Sequence, residues 1–391
     1  MTEKGEFSLL LRFVLLLLVQ LTGTTQQALA QPLRSYAPRS WVLVWKDGGR
    51  VSDSTFGWIR EHTATSQAIY VLDAGTLQVH AYHPVERRLL WSAGRKGSGP
   101  GEFLAPVDIA STSSGAVVLD PANGRVSEYG LHGNHIRDYA HPLYSRAKAL
   151  CVMSDGSLVL HTTQRDAFLV RMSRAGRILR KWPFPWNVSD PDNPMLTNAV
   201  TLRGLPDHSC HFATTFGFGL IHVDTSNRLR TTKLVEQYPT PTFITRRGSN
   251  GLPGLYLEKG TNASLGGSHW RDTLGVIAMS AQGKLVGLDL YEKSSGRYLS
   301  SWLLPPDDRF AVSGRLLVGL SSSGITQSIR AWADSSDTLA VLRAMGIRKR
   351  PTTRPDSAKK SGRTRTTIPT PPAGTPARPP APARAPLPAN R

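Results

Sequence analysis

Three observations predict an all-β fold. Short β-branched runs recur in sets of four, separated by turns rich in Gly, Asp and Asn. Two neighbouring sets keep one register: Asp73 to Asp120 and Tyr82 to Tyr129 are both 47 residues apart. Long apolar helical patterns are missing from the middle of the chain. Six sets fit between residues 41 and 332. Together these predict a six-bladed β-propeller of four-stranded antiparallel blades, followed by a disordered basic tail rich in Pro and Ala.

The clearest set begins at Gly94. Gly94, Gly97, Gly99, Pro100 and Gly101 suit neither a helix nor a central strand, so they predict a tight loop. Val107-Asp108-Ile109 alternates, and Gly115 turns the chain into Ala116-Val117-Val118-Leu119. Asp120-Pro121-Ala122-Asn123-Gly124 is a hairpin signal, because Asn-Gly accepts the positive φ such turns need. Val126–Tyr129 and Ile136–Tyr139 complete the four strands.

Residues Gly99, Pro100, Gly101, Glu102, Phe103, Pro106, Asp120, Asn123, Arg125 and Val126 fall on one pattern, GxGPGEFxxP followed by VxLDxxNxRV. This resembles the NHL-type repeat of six-bladed propellers. The preceding set keeps Tyr70–Asp73 and Val79–Tyr82; later sets keep only the rhythm. Propellers of this kind include lyases and lactone hydrolases that work through channel-lining His or carboxylate groups with a metal. No such motif is matched here residue by residue.

In chain order, Phe56–His62, Ala68–Leu72, Gln78–Tyr82 and Arg88–Trp91 form the first set, and the Gly94 set is the second. The third runs Ala147–Met153, Ser157–His161, Phe168–Met172 and Ile178–Trp182; the fourth, Ala199–Leu202, Cys210–Thr214, Leu220–Val223 and Arg230–Val235. Tyr238–Asp272, with six glycines, is expected to be irregular. The fifth set resumes at Thr273–Met279, with Lys284–Leu290 and Arg297–Leu303. The sixth offers only Phe310–Val312, Arg315–Gly319 and Ile325–Trp332. Trp41–Trp45, isolated upstream, is expected to supply its missing outer strand and so close the ring, removing open edges.

The ends read differently. Phe13–Val19 is a short apolar core and Ala28-Leu29-Ala30 a small-x-small site, which predicts a signal peptide over 1–30. Its run is shorter than the roughly 20 residues a span needs, so no transmembrane segment is expected. Glu3 and Glu6 make its leading residues less positive than usual, and no Cys sits near the site to carry a lipid. The protein is therefore expected to be secreted or periplasmic. Residues 335–346 predict a short helix, capped by Ser and Asp and stopped by Gly346.

Beyond it, residues 347–391 cannot bury a core. The formal net charge is +19, of which this tail carries +10. The excess describes the tail more than the fold. It can attract anionic envelope material, or nucleic acid, in a salt-sensitive way, or serve only as a solubilising spacer. It holds no aromatic residue for base stacking. Cys151 and Cys210 either pair or stand as two buried thiols; two cysteines are too few for a framework. Asn187-Val188-Ser189 and Asn262-Ala263-Ser264 fit the glycosylation triplet.

Catalytic signatures are absent. GRKGSGPG lacks the Gly-Lys-Ser/Thr of a phosphate loop and precedes a strand, and there is no Gly-x-Ser-x-Gly elbow. His208 and His211 would point to opposite faces of a strand, and no second ligand cluster exists, so neither metal nor cofactor is expected. In a propeller the innermost strands line a channel whose mouth takes ligands. The candidate mouth residues are Arg60, His62, Asp108, Lys148 and Asn198 on inner strands, with Arg95, Lys96 and Glu102 on the Gly-rich loop. Glu61 shares the first inner strand, and alternation turns about half of these away. The expected function is an exported, monomeric binding or scaffold module for a protein or envelope ligand. A lyase or hydrolase working in the channel is the alternative.

Overall fold

The computed structural model describes residues 34–37, 39–48, 56–162, 164–186, 199–205, 207–238, 241–247, 253–259, 264–279, 285–307, 309–313, 315–323 and 326–336. Segment 1–30, residues 337–346 of the helix expected over 335–346, the tail and Asn198 lie outside them. Ser335 and Ser336 form a turn.

Among the described strands, β1 (Trp41–Gly48) comes first. Blade 1 is β2 (Ile59–Ala64), β3 (Ile69–Asp73), β4 (Gln78–Tyr82) and β5 (Leu89–Ala93); blade 2 is β6 (Asp108–Thr112), β7 (Gly115–Asp120), β8 (Arg125–Gly130) and β9 (His135–Ala140). Blade 3 is β10 (Ala147–Val152), β11 (Leu158–Thr162), β12 (Leu169–Met172) and β13 (Ile178–Trp182); blade 4 is β14 (Ala199–Gly204), β15 (Cys210–Thr214), β16 (Leu220–Val223) and β17 (Leu229–Thr232). A separate hairpin follows, β18 (Thr242–Arg247) with β19 (Pro253–Lys259). Blade 5 is β20 (Ser264–Trp270), β21 (Thr273–Met279), β22 (Leu285–Glu292) and β23 (Tyr298–Trp302). Blade 6 has β24 (Arg309–Ser313), β25 (Leu316–Ser323) and β26 (Thr326–Asp334), and its fourth, outer strand is β1. Each pairing is antiparallel, which makes the fold a six-bladed β-propeller.

Burial explains why these runs read as continuous apolar stretches. Middle strands such as β3, β7 and β11 are buried at every position, while β13 is exposed along most of its length. A middle strand has a neighbouring blade on each face, so both sets of alternating side chains must be apolar. The described core accordingly forms six clusters, one at each blade-to-blade interface. Each fully buried Val, Leu or Ile contributes about 1.5–3 kcal/mol.

Polar links cross the same interfaces. His62 Nε2 contacts the Val318 carbonyl at 3.1 Å, joining blades 1 and 6. Leu150 N donates to Asp108 at 2.7 Å, joining blades 3 and 2. The Cys151–Cys210 disulfide ties β10 to β15 inside the cluster between blades 3 and 4, so the two cysteines are paired.

The segment expected to be irregular, Tyr238–Asp272, instead holds β18, β19 and the inner strand β20. Its glycines misled the reading for a physical reason. A Cβ on Gly267 would stand 3.2 Å from His211 Nε2 and 3.3 Å from Phe212 Cα, so glycine there lets β20 approach blade 4. Phe243 of the hairpin meets Phe216 of blade 4 edge-on at 5.4 Å.

The start of the described chain fastens two blades. Arg34 pairs with Asp289 at 3.1 Å and with Glu236, and Tyr36 bridges Ser301 on the edge of blade 5. The chain then enters blade 6, where Trp41 pairs with Asp334 and Gly48 with Ser328. Trp41 meets Trp270 and Trp302 of blade 5, and Trp45 packs between blades 6 and 1. Among the described residues, no helix is long and apolar enough to cross a membrane.

Deleting residues 41–48 is expected to abolish cooperative thermal unfolding and drive aggregation. Circular dichroism melting and size-exclusion chromatography check this; a full-length melting curve for the deletion would refute closure by β1.

Candidate functional site

The Gly-rich loop, residues 94–107, joins the outer strand of blade 1 to the inner strand of blade 2. Its shape is dictated by the β7–β8 turn beneath it. Asp120 accepts from Leu104 N at 2.8 Å and Ala105 N at 3.1 Å. Asn123 Nδ2 donates to the Gly97 carbonyl at 3.1 Å, and Arg125 donates to the carbonyls of Ser98, Gly99 and Glu102 at 3.0, 2.6 and 2.5 Å. Gly97 has φ 152°, and a Cβ there would collide with the Glu102 carboxylate. Asp73 plays the Asp120 part in blade 1, accepting from Gly57 N and Trp58 N at 2.7 Å each.

The candidate residues on this loop therefore stand apart from the channel. Arg95 Nε donates to Glu102 at 2.7 Å, and Gly99 N donates to the same carboxylate. The Gly99 amide and the Arg95 guanidinium hold the Glu102 carboxyl below its ordinary range. Lys96 bridges Phe103 through the backbone. Arg95, Lys96 and Glu102 share the mouth's face of the ring but do not line its cavity.

The inner strands begin on that same face. Their first residues enclose a cavity of about 160 Å³ lined by Arg60, Glu61, Val107, Asp108, Lys148, Ala149 and Arg309. The structure thus brings Arg60, Asp108 and Lys148 together from blades 1, 2 and 3. Glu61 and Arg309 complete the group, Arg309 from blade 6. Arg309 Nη1 donates to the Arg60 carbonyl and lies 3.8 Å from Glu61. No motif marks Arg309; its only sequence signal is its place at the start of a sixth inner strand.

His62 departs from expectation. It is fully buried and faces blade 6, not the mouth. The strand ladder slips between Ile59 and Glu61, so simple alternation from Arg60 fails. His211 likewise bonds across an interface, to the Ser268 carbonyl, and His208 sits in a turn with φ 59°.

The carboxylates at the mouth are turned toward backbone amides. Asp108 accepts from Ile109 N at 2.9 Å and Leu150 N at 2.7 Å; Glu61 accepts from His62 N at 2.9 Å. Arg60 lies over the ring of Trp58, 5.3 Å from its centre, and Trp58 is half exposed. Among the described residues, no carboxylate forms an ion pair with Arg60 or Lys148. Arg309 pairs with Glu61, and both carboxylates of the mouth accept from backbone amides.

No known family profile matches the chain, and no curated protein matches it. Solved structures do. One is a protein of Bacteroides fragilis described as a candidate exported protein: 12% identity, TM-score 0.50, 76% of this chain and 97% of that one. Virginiamycin B lyase from Staphylococcus aureus aligns at 9% identity, TM-score 0.42, over 75% and 99%. The Pan2 WD40 domain of Neurospora crassa aligns at 10% identity, TM-score 0.41, over 77% and 98%. Likeness at such identities concerns the fold alone.

Asp120→Ala would remove the acceptor of the Leu104 and Ala105 amides, at a cost of about 0.5–1.5 kcal/mol each, because both residues are exposed enough for water to replace it. Faster amide hydrogen exchange at these two residues, with lowered stability in urea, is expected. A second outcome concerns pH. Burial holds the His80 and His222 imidazoles below their ordinary range, against the opposing pull of Asp73 on one and of Asp207 and Asp224 on the other. The unfolded chain then binds protons first, so stability is full above about pH 6.5 and falls as pH drops below it. Urea titrations should show this slope, flattened in the His80→Gln/His222→Gln double variant.

Proposed function

We propose that this chain is an exported β-propeller, built of NHL-type repeats, that acts as a monomeric binding module. It engages a protein or cell-envelope ligand through the face bearing the Gly-rich loop and the channel mouth. One observation carries the reading: three cationic side chains from three blades, Arg60, Lys148 and Arg309, converge on one mouth, where Arg309 pairs with Glu61 while Asp108 accepts from backbone amides.

Other features support it. Lys96 adds positive charge on the same face, beside the Arg95–Glu102 pair, at the rim of a loop held firmly by Asp120, Asn123 and Arg125. The signal-like residues 1–30 and the buried Cys151–Cys210 pair suit an oxidising compartment outside the cytosol. The basic segment 347–391 serves as an accessory tether to anionic polymer, through contacts that salt weakens. The Gly-rich signature of blade 2, in register with blade 1, supports the repeat type.

The test is reversal of charge on one face at a time. Arg95→Glu with Lys96→Glu should cut capture of isolated cell-envelope material, measured by co-sedimentation, about ten-fold or more. Arg177→Glu with Arg297→Glu, on turns of the opposite face, should leave it unchanged. Equal losses from both pairs, or none from either, would remove the loop face from consideration.

A further inference from the structure

The cations of the mouth are set in place by the same irregularity in two different blades. β2 and β3 pair in step except between Ile59 and Glu61, and β10 and β11 except between Ala147 and Ala149. The extra residue is Arg60 in the first case and Lys148 in the second. A bulge leaves its added residue outside the ladder and re-aims the side chain.

The neighbours show what the bulge achieves. His62, two residues beyond Arg60, reaches Val318 of blade 6, and Leu150, two beyond Lys148, packs in the core between blades 2 and 3. Plain alternation would send both cations into those buried interfaces. The bulges deliver them to the cavity instead. Arg309 enters the same space as the first residue of β24.

The chemistry narrows the ligand. At about 160 Å³ the cavity is well under the roughly 300 Å³ at which pockets for drug-sized ligands begin, so it takes one functional group of a larger molecule. Among the described lining residues, three are cations and two, Glu61 and Asp108, are carboxylates, a lining that favours an anionic group. A guanidinium fork matches the two oxygens of a carboxylate. Beside the cavity, Trp58 carries Arg60 on its ring and still exposes 49% of its surface. A flat, half-open aromatic next to a carboxylate-sized cationic pocket suits a sugar ring bearing an acid group.

Building on the loop-face reading, we propose that the mouth binds the carboxylate of an acidic sugar, with Arg60 and Lys148 on the acid group and Trp58 beneath the ring. The probe is D-glucuronate, with D-glucose, inorganic phosphate and N-acetylglycine as comparisons, added to the full chain and followed by calorimetry and tryptophan fluorescence. Glucuronate should bind, glucose should not, and phosphate and N-acetylglycine should bind about ten-fold more weakly or less. Arg60→Gln and Lys148→Gln should each weaken glucuronate about ten-fold or more, with unchanged melting curves. Trp58→Ala should weaken glucuronate and leave N-acetylglycine unaffected.

Equal binding of N-acetylglycine would mean an acidic peptide end, and tighter phosphate would mean a phosphoryl group; either overturns the sugar assignment. So would an undiminished affinity in the Arg60 and Lys148 variants. Failure of glucuronate binding while face-specific envelope capture persists removes only the sugar. Failure of both removes the loop-face reading as well.

Discussion

Val71, Val117 and Leu160 each lie in the second strand of a blade, and none touches solvent on either side. That is the constraint on which the rest of the molecule depends. A single four-stranded sheet of this composition has two apolar faces and can cover neither alone. Only a neighbour on each side will do, so the arrangement has to come full circle, and six shared cores replace the one central core of an ordinary domain. The histidines and the Asp108 carboxylate that cross between blades satisfy buried polar groups at the same seams.

Much of this was legible in the chain. The 47-residue register, the Asp-to-Gly turns and the β-branched runs gave the strands, and a set one strand short pointed to the stray Trp41–Trp45 run as its completion. Local pattern and tertiary demand part company at particular residues. Gly267 looked like a loop residue because the need for it lies in blade 4, at His211 and Phe212, far from it in sequence. The pairing of Cys151 with Cys210 depends on two blades meeting, which spacing alone does not encode.

The candidate site was half legible for related reasons. Arg60, Asp108 and Lys148 follow from knowing which strands are innermost. His62 was misplaced because a bulge carries no signature in residue type, and Arg309 was overlooked because a single arginine at a strand start is unremarkable. The most conspicuous motif proved to be architectural. Asp120, Asn123 and Arg125 spend their polar groups on the loop's own amides and carbonyls, while the cations lining the cavity at the mouth, Arg60, Lys148 and Arg309, fall on no sequence motif.

The β1–β26 seam also bears on how the chain is made. The first of the described strands pairs with the last of them, so its edge stays bare while five blades emerge. Contacts so distant in sequence form slowly. A ribosome that stalled before Thr326 would release a chain with two unmatched borders, easily seized by proteases. A product missing its last strands therefore leaves the circle unsealed.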